Sequence, residues 1–236
     1  MTTQTPLLSI DRLCAGYGDF QALFDISLTL DEGETVAIIG SNGAGKSTFL
    51  RSLAGQIKNQ ANAITFRGQP IGDLAANQVI ARGIALVPEG RKLFPSLTVE
   101  ENLQIGGYSK RPGPWTLARI YQLFPVLEKL RKRPGTALSG GQQQMVAIGR
   151  GLMANPHLLL CDEISLGLAP TTIKDIYAAL PSIKADGTTV ILVEQDINQA
   201  LSVCDRFYCL QEGRVSLTGR PGDVDKAQIK AAYFGV

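Results

Sequence analysis

Two hydrophobic patterns alternate along the chain. Apolar and polar residues take turns over 7–14 and 24–30, which predicts antiparallel strands with one solvated face. A continuous apolar run rich in β-branched residues over 35–39 predicts instead a strand buried in a parallel sheet. Further strands are predicted from the apolar runs at 64–66, 84–87, 158–161, 190–193, 207–210 and 214–217. Together the patterns predict an α/β protein with an antiparallel β part.

The stretch from 89 to 155 has a different character, because it contains no convincing strand. Helices, separated by Pro and Gly, are predicted near 99–105, 116–123, 126–131 and 142–153. A short helix is also predicted over 74–82. We therefore expect a single domain over 1–236, with an α/β core at about 1–88 and 156–236 and an inserted helical subdomain at about 89–155.

Composition and charge narrow the class of protein. The 236 residues are 44% hydrophobic and carry a net charge of +2, which is typical of a globular domain and does not indicate a nucleic-acid partner. The apolar runs fall far short of the ~20 residues that a membrane-spanning helix needs. Residues 1–8 also lack the basic-then-apolar pattern of a signal peptide. We expect a cytoplasmic protein.

A glycine-rich segment over 40–48, the phosphate loop, follows the predicted strand 35–39 and precedes a predicted helix. It fits the pattern G-x-x-x-x-G-K-S/T at every fixed position, with Gly40, Ser41, Asn42, Gly43, Ala44, Gly45, Lys46, Ser47 and Thr48. Backbone N–H groups and the helix dipole make such a loop a polyphosphate site. Lys46 is predicted to reach the outer phosphates, and the Ser47 hydroxyl to contact Mg²⁺, which prefers oxygen ligands.

Two carboxylates end the apolar strand predicted at 158–161. Asp162 at the strand end is expected to bind Mg²⁺ through water, and Glu163 to face the γ-phosphate. A carboxylate held in line with the phosphorus orients and polarises a water molecule. The phosphate loop alone does not distinguish among kinases, GTPases and ATPases. The carboxylate pair helps to choose among these enzyme classes.

A second candidate anion site lies at 139–142, the signature segment. Ser139, Gly140, Gly141 and Gln142 precede a predicted helix, so a hydroxyl and the helix N-terminus meet beside two glycines that allow close backbone approach.

The whole chain resembles the ATP-binding cassette family, whose members carry a phosphate loop, an L-S-G-G-Q segment and an apolar strand ending in D-E, in this order. The resemblance implies a P-loop NTPase (RecA-like) core with an antiparallel β subdomain and an inserted helical subdomain. It implies that ATP and Mg²⁺ are bound and ATP is hydrolysed. The signature segment would then contact the ATP of an opposite subunit.

The resemblance also assigns further positions. Tyr17 matches the aromatic residue that stacks on adenine, and 165–169 the loop through which two cassettes touch. Glu89 stands where most cassettes have a glutamine that senses the γ-phosphate and Mg²⁺. Gln195, after the strand predicted at 190–193, stands where the family usually has a histidine; its amide can still donate a hydrogen bond to a phosphate oxygen but carries no titrating proton. Ile164 replaces the usual proline, which predicts a looser turn.

The chain is similar to the second ATP-binding subunit of the high-affinity branched-chain amino acid importers in three segments, V-P-E-G-R, V-E-Q and S-L-G-L-A-P. This implies a heterodimer with a sister cassette, or a homodimer in isolation. It also implies two integral membrane permease subunits, an indirect link to a periplasmic binding protein, and a place at the inner face of the cell membrane. Permease docking is expected near 91–101, with Phe94, Leu97 and Val99 as apolar lining.

Three alternatives stay open from the sequence. The imported substrate could be urea, an amide or another amino acid. A soluble cassette ATPase acting on DNA or ribosomes is a second reading, although one phosphate loop and no sustained heptads disfavour it. A small-molecule phosphotransferase is a third, and it leaves the signature segment unexplained.

Overall fold

Ten strands and nine α-helices lie within residues 5–234, the part of the chain that the computed structural model describes. The strands are β1 (Leu8–Tyr17), β2 (Phe20–Leu30), β3 (Thr35–Ile39), β4 (Ile64–Phe66), β5 (Gln69–Pro70), β6 (Ile84–Val87), β7 (Leu158–Asp162), β8 (Thr189–Glu194), β9 (Arg206–Gln211) and β10 (Arg214–Gly219). The helices are α1 (Lys46–Leu53), α2 (Ala76–Arg82), α3 (Val99–Gly106), α4 (Leu117–Leu123), α5 (Pro125–Lys129), α6 (Gly140–Leu152), α7 (Pro170–Ala185), α8 (Ile197–Val203) and α9 (Lys226–Phe234).

The strands form two sheets. An antiparallel sheet has the order β2-β1-β4-β5, and a six-stranded sheet has the order β10-β9-β3-β8-β7-β6. All neighbours in the larger sheet are parallel except β10, which pairs antiparallel with β9. The predicted α/β fold with an antiparallel part is therefore confirmed. Since β3 is central, the loop that follows it lies at the carboxyl edge of the sheet, where α/β proteins bind ligands.

Alternate residues of the parallel strands bury opposite faces of the large sheet. In β7, Leu158 and Leu160 pack towards the antiparallel sheet and α1, whereas Leu159 and Cys161 pack in the cluster that includes α6 and α7. This period of two is why these strands are apolar throughout. A third, smaller cluster covers the end of the sheet near β9 with α8 and α9.

Between β6 and β7 the chain is helical. Helix α6 packs closely on its neighbours because Gly149 has no side chain: a Cβ there would lie 2.7 Å from Leu103 Cδ2 and 2.9 Å from Ile120 Cγ2. Asn102 of α3 is fully buried and bonds the loop before that helix, accepting from the Phe94 N–H at 2.9 Å and donating to three carbonyl oxygens, of Phe94, Leu97 and Thr98.

Some predicted features differ from the structure. The helix predicted from 142 begins at Gly140, because Ser139 accepts a hydrogen bond from the Gln142 N–H and caps it. Val99 does not line a docking surface as predicted, because it is fully buried in the core, whereas Phe94 is 47% exposed. Within residues 5–234, no helix has both the length and the apolar composition that crossing a membrane requires.

Candidate functional site

The phosphate loop joins β3 to α1 through glycines that no other residue replaces easily. Gly43 and Gly45 have φ values of 82° and 102°, in the left-handed region that L side chains disfavour. A Cβ at Gly45 would also lie 2.7 Å from Leu23 Cδ2. The loop therefore keeps its backbone at the start of α1, where the helix dipole favours an anion.

Lys46 is the first residue of α1, and its side chain folds back over the loop. It is 5% exposed, and its ammonium donates hydrogen bonds to the carbonyl oxygens of Gly40 at 2.7 Å and Ser41 at 3.0 Å. Its Nζ lies 3.8 Å from Glu163 Oε1. Burial lowers the Lys46 pKa, while the carboxylates of Glu163 and Asp162 oppose this shift.

Glu163 is held from three sides in an unusual backbone conformation. Its φ is 47°, which costs a residue with a side chain about 1–3 kcal/mol. Its N–H donates to the Val193 carbonyl at 3.0 Å, and its Oε2 accepts from Gln195 Nε2 at 2.7 Å. The next residue, Ile164, is buried in the core. The Glu163 carboxylate is thus fixed between Lys46 and Gln195, and the turn is anchored although it lacks the usual proline.

Asp162 ends β7 with a carboxyl group that is short of partners. The residue is 7% exposed, and its Oδ1 accepts no hydrogen bond from the described residues. Burial raises its pKa to about 6, with Glu163 and Glu89 adding to the shift. An unsatisfied buried carboxylate oxygen suits a hard divalent cation, so these residues fit Mg²⁺. Ser47 and Glu89 supply further oxygen atoms to the adjoining cleft.

A cleft of about 620 Å³ brings most of the predicted residues together. Tyr17 stands at its edge, 45% exposed, and its hydroxyl accepts from Arg51 Nη1 at 3.1 Å. The predicted residues that line the cleft are Tyr17, Asn42, Gly43, Gly45, Lys46, Ser47, Thr48, Glu89, Glu163 and Gln195. Gly40 and Ala44 are buried behind the loop surface, and the carbonyl of Ser41 holds Lys46.

The signature segment lies apart from this cleft. None of Ser139, Gly140, Gly141 and Gln142 is among the lining residues. Ser139 is exposed and forms a capping box, in which its N–H donates to Gln142 Oε1 at 2.9 Å and its hydroxyl accepts from the Gln142 N–H at 3.3 Å. Gly141 packs against Thr172 so closely that a Cβ there would clash with it. The four residues therefore form a rigid helix start at the surface of the chain.

Arg91 and Arg150 connect the segment after Glu89 to α6, and sequence reasoning missed this connection. Arg150 donates to the carbonyl oxygens of Arg91 at 3.0 Å and Lys92 at 2.8 Å. Arg91 donates to Gln143 Oε1 at 3.3 Å. Arg91 and Lys92 both have positive φ, of 65° and 44°. The only sequence signal was Gly90, which marks a turn but not its partner.

A second missed residue is Glu194, a buried carboxylate that bonds Ser165 and Tyr177. The signal available in the sequence was a charged residue closing the otherwise apolar strand 190–193. A polar strand end is common, however, and the pattern does not say which distant residues it meets.

Comparisons with known proteins show the family. The family model described as ABC transporter matches residues 23–165. The high-affinity branched-chain amino acid transport ATP-binding protein BraG of Pseudomonas aeruginosa is 44% identical, covering 97% of this chain and 100% of its own. The probable branched-chain amino acid transport ATP-binding protein LivF of Archaeoglobus fulgidus is 32% identical, covering 92% of this chain and 94% of its own.

A solved structure extends the similarity to the fold. A dimeric ATP-binding cassette in a post-hydrolysis state, bound to ADP and Pi, matches with a TM-score of 0.80 and 27% identity, over 92% of this chain and all of that one. Its cassette architecture agrees with the two sheets and the helical insertion described above. By its family model, its relatives and its fold, the chain belongs to the ABC transporter family, as an ATP-hydrolysing ATP-binding domain.

Proposed function

We propose that the chain is the ATPase subunit of an amino acid importer whose cargo is branched-chain amino acids. One observation carries the catalytic part: Lys46, Glu163 and Gln195 are connected beside the unsatisfied carboxylate of Asp162. The cargo is inferred from BraG and LivF, which are named as branched-chain amino acid transport proteins.

The phosphate loop would bind the triphosphate of ATP. Backbone N–H groups of 43–48 and the dipole of α1 favour the negative charge. Lys46 would exchange its bonds to the Gly40 and Ser41 carbonyls for bonds to phosphate oxygens, which are charge-assisted and stronger. Tyr17, exposed at the edge of the cleft, is placed to stack on adenine.

Oxygen atoms of Ser47, Asp162 and Glu89 would hold Mg²⁺, either directly or through water. When bound, Mg²⁺ neutralises charge on the phosphate groups. The chain's own contribution is the position of Asp162, which is buried at the end of β7, next to Lys46. A buried carboxylate is costly unless it is paired or bound to a metal, so a cation beside Asp162 would offset that cost.

Glu163 would accept a hydrogen bond from the attacking water and orient it towards the γ-phosphate. Its carboxylate already accepts from the Gln195 amide, which leaves its orientation fixed before any substrate arrives. Gln195 therefore acts as a hydrogen-bond donor in place of a histidine, with no proton to gain or lose near neutral pH.

The signature segment would complete the site of a second cassette. The exposure of Ser139 and the absence of the segment from the lining of the chain's own cleft support this role, as does the dimeric state of the matched cassette. We propose a heterodimer with a sister cassette, with a homodimer as the form accessible in isolation. In either dimer, Ser139 and the N-terminus of α6 would face the phosphates of the partner's ATP.

A groove between α2, β6, α3 and α6 is the proposed docking site for a permease segment. Its volume is about 560 Å³, and the apolar side chains exposed there are Ile80, Ile105 and Tyr108, at 41%, 41% and 90%. The groove lies where the proposed core, about 1–88 and 156–236, meets the proposed helical subdomain, about 89–155. Docking there would hold the chain at the inner face of the membrane against two permease subunits.

Reconstitution tests this function. The chain, a sister cassette and two permease subunits are placed in vesicles with a periplasmic binding protein, and ATP hydrolysis is measured with leucine, isoleucine, urea or an acidic amino acid. We expect branched-chain amino acids to stimulate hydrolysis and the Glu163→Gln chain to abolish the stimulation. Stimulation by urea alone would change the assigned cargo, and phosphate transfer to an acceptor in place of release would overturn the ATPase assignment.

A further inference from the structure

Glu194 is the most deeply buried carboxylate near the cleft, and the mechanism above does not use it. It ends β8, is 2% exposed, and accepts three hydrogen bonds. Its Oε2 accepts from the Ser165 hydroxyl at 2.7 Å, and its Oε1 accepts from the Ser165 N–H at 3.2 Å and from the Tyr177 hydroxyl at 2.7 Å. A buried carboxylate is costly unless its oxygen atoms are satisfied, and these donors satisfy it.

The bonds to Ser165 place Glu194 in a larger arrangement around the catalytic turn. Three consecutive residues at the end of β8 form hydrogen bonds with Glu163 and Ser165. The Val193 carbonyl accepts from the Glu163 N–H, Glu194 accepts from Ser165, and Gln195 donates to Glu163. The end of β8 thus contacts the turn 163–165 at three points: the Glu163 backbone, Ser165 and the Glu163 carboxylate. Because Glu163 has φ of 47°, the turn needs such external bonds to keep its shape.

Ser165 also begins the loop 165–169, whose tip reaches the cleft. Leu166 is 50% exposed and lines the cleft with Gln195 and Glu163. Gly167, at the tip, has φ of 68°, and a Cβ added there would meet no other atom within 4 Å. The backbone of the loop is bonded at its start, where the Leu168 N–H donates to the Ser165 carbonyl at 3.2 Å. The base of the loop is Ser165, and the two hydrogen bonds to the Glu194 carboxylate fix it.

We propose that Glu194 is a positioning residue for ATP hydrolysis. By fixing Ser165, it determines the position of the loop 165–169 and the orientation of the Glu163 carboxylate towards the phosphate loop. This inference rests on the proposed ATPase mechanism. It assigns Glu194 an effect mainly on the rate of the chemical step and a small one on nucleotide affinity, because none of its hydrogen bonds reaches the phosphate loop and its charge acts on Lys46 less strongly than those of Glu163 and Asp162.

The chain offers a matched control for this test. Tyr177 of α7 donates to the same carboxylate at the same 2.7 Å as the Ser165 hydroxyl, but it does not belong to the loop. Tyr177→Phe and Ser165→Ala each delete one hydroxyl donor to Glu194. A purely structural Glu194 predicts similar effects of the two deletions, whereas a positioning Glu194 predicts that only Ser165→Ala slows hydrolysis.

The experiment measures kcat, KM and direct binding of a fluorescent ATP analogue. It uses the full-length chain with the partner subunits that hydrolysis requires. Misplacement of reacting groups costs rate, so we expect Glu194→Gln and Ser165→Ala each to lower kcat about ten- to a hundredfold, with KM for ATP within about twofold. The double variant should be no slower than the slower single one, since both remove the same contact. Tyr177→Phe should keep kcat within about threefold while lowering the melting temperature by a few degrees.

A wild-type kcat in Ser165→Ala would overturn the inference, and so would an equal loss of kcat in Tyr177→Phe. Either result means that Glu194 only supports the fold. If Glu194→Gln does not fold, the comparison of Ser165→Ala with Tyr177→Phe still distinguishes a positioning role of Glu194 from a purely structural one. Full activity of Glu163→Gln would overturn the proposed mechanism and this inference with it, which separates the two kinds of failure.

Discussion

The phosphate-loop cleft and the signature segment 139–142 are built in opposite ways. In the cleft, side chains from distant parts of the sequence converge: Lys46 lies 3.8 Å from Glu163, which in turn bonds Gln195. In the signature segment, the polar groups bond one another within a single helix turn, between Ser139 and Gln142. The cleft is a connected site, whereas the signature segment is a preformed surface that makes no contact with it.

This difference indicates two half-sites on one chain. A buried cluster such as Lys46 with Glu163 is held by the chain itself and needs nothing else to keep its shape. An exposed helix start with two glycines carries backbone donors that suit an anion delivered from outside. In the proposed dimer, the first half-site would control binding and chemistry, and the second would control assembly. The variants below separate these two tasks.

The largest effect is expected in the cleft, for Glu163→Gln. The amide keeps the shape of the side chain but cannot polarise water, so kcat should fall about 10²- to 10⁴-fold while ATP still binds. Size-exclusion chromatography with ATP should show an accumulated closed dimer. Hydrolysis within a fewfold of the wild-type rate would remove Glu163 from the catalytic role.

Lys46→Ala should separate binding from chemistry within the same cleft. Losing charge-assisted bonds to the phosphates costs about 2–3 kcal/mol, so the Kd for ATP should rise about 30- to 150-fold in titration calorimetry. Lys58→Ala removes an equal charge from an exposed position and should leave the Kd unchanged. An unchanged Kd in Lys46→Ala would contradict the proposed phosphate contact.

Gln195→Ala tests whether the amide that bonds Glu163 contributes to turnover. Removing a hydrogen bond to a charged group costs about 1.5 kcal/mol or more, so kcat should fall about tenfold with little change in KM. Gln195→His should recover most of the rate, because an imidazole N–H can donate to the same oxygen. A rate that does not respond to either substitution would make the 2.7 Å bond structural only.

Ser139→Ala tests the second half-site. The chain's own affinity for ATP should stay unchanged, while hydrolysis and ATP-dependent dimerisation fall about tenfold through a lost phosphate contact. Loss of the helix cap lowers stability by about 1 kcal/mol as well. Thr116→Ala is the control, since Thr116 caps α4 in the same way through the Arg119 N–H but has no proposed role in ATP binding. Equal activity loss in both variants would reduce Ser139 to a cap.

Tyr17→Ala should give the smallest effect. Stacking of an aromatic ring is worth about 0.5–1.5 kcal/mol, so ATP affinity should fall about two- to twelvefold with no change in kcat at saturating ATP. Tyr17→Phe keeps the ring and removes the hydroxyl with its bonds to Arg51 at 3.1 Å and Thr48 at 3.5 Å, so it should bind ATP like the wild type. A loss in Tyr17→Phe as large as in Tyr17→Ala would assign the effect to the hydroxyl.

Local patterns predicted the backbone better than the contacts of the site. The strands predicted at 35–39, 64–66 and 84–87 are confirmed to the residue, because buried apolar runs end abruptly at polar residues, Gly or Pro. The two-residue strand β5 was missed, because Gln and Pro at an edge carry no strand pattern. The phosphate loop was located by a motif that is contiguous in the chain.

Long-range contacts were out of reach of the same reasoning. Gln195 and Glu163 lie 32 residues apart, and Glu194 and Ser165 lie 29 apart; only the parallel pairing of β7 with β8 brings them together. The family resemblance assigned a role to Gln195, whereas it included Glu194 in the V-E-Q segment without giving that residue a role. Roles of the site residues, including Mg²⁺ binding by Ser47, Glu89 and Asp162, stay predictions.

The folded-back side chain of Lys46 has a consequence for the entropy cost of ATP binding. Its ammonium bonds the carbonyl oxygens of both Gly40 and Ser41, so the Lys46 side chain holds the backbone at the start of the loop in one shape. Binding then exchanges one set of hydrogen bonds for another and spends little entropy on ordering backbone. In the proposed dimer, the conformational cost of the transport cycle would then fall on the association of the two subunits, and ATP binding to each would be a local event.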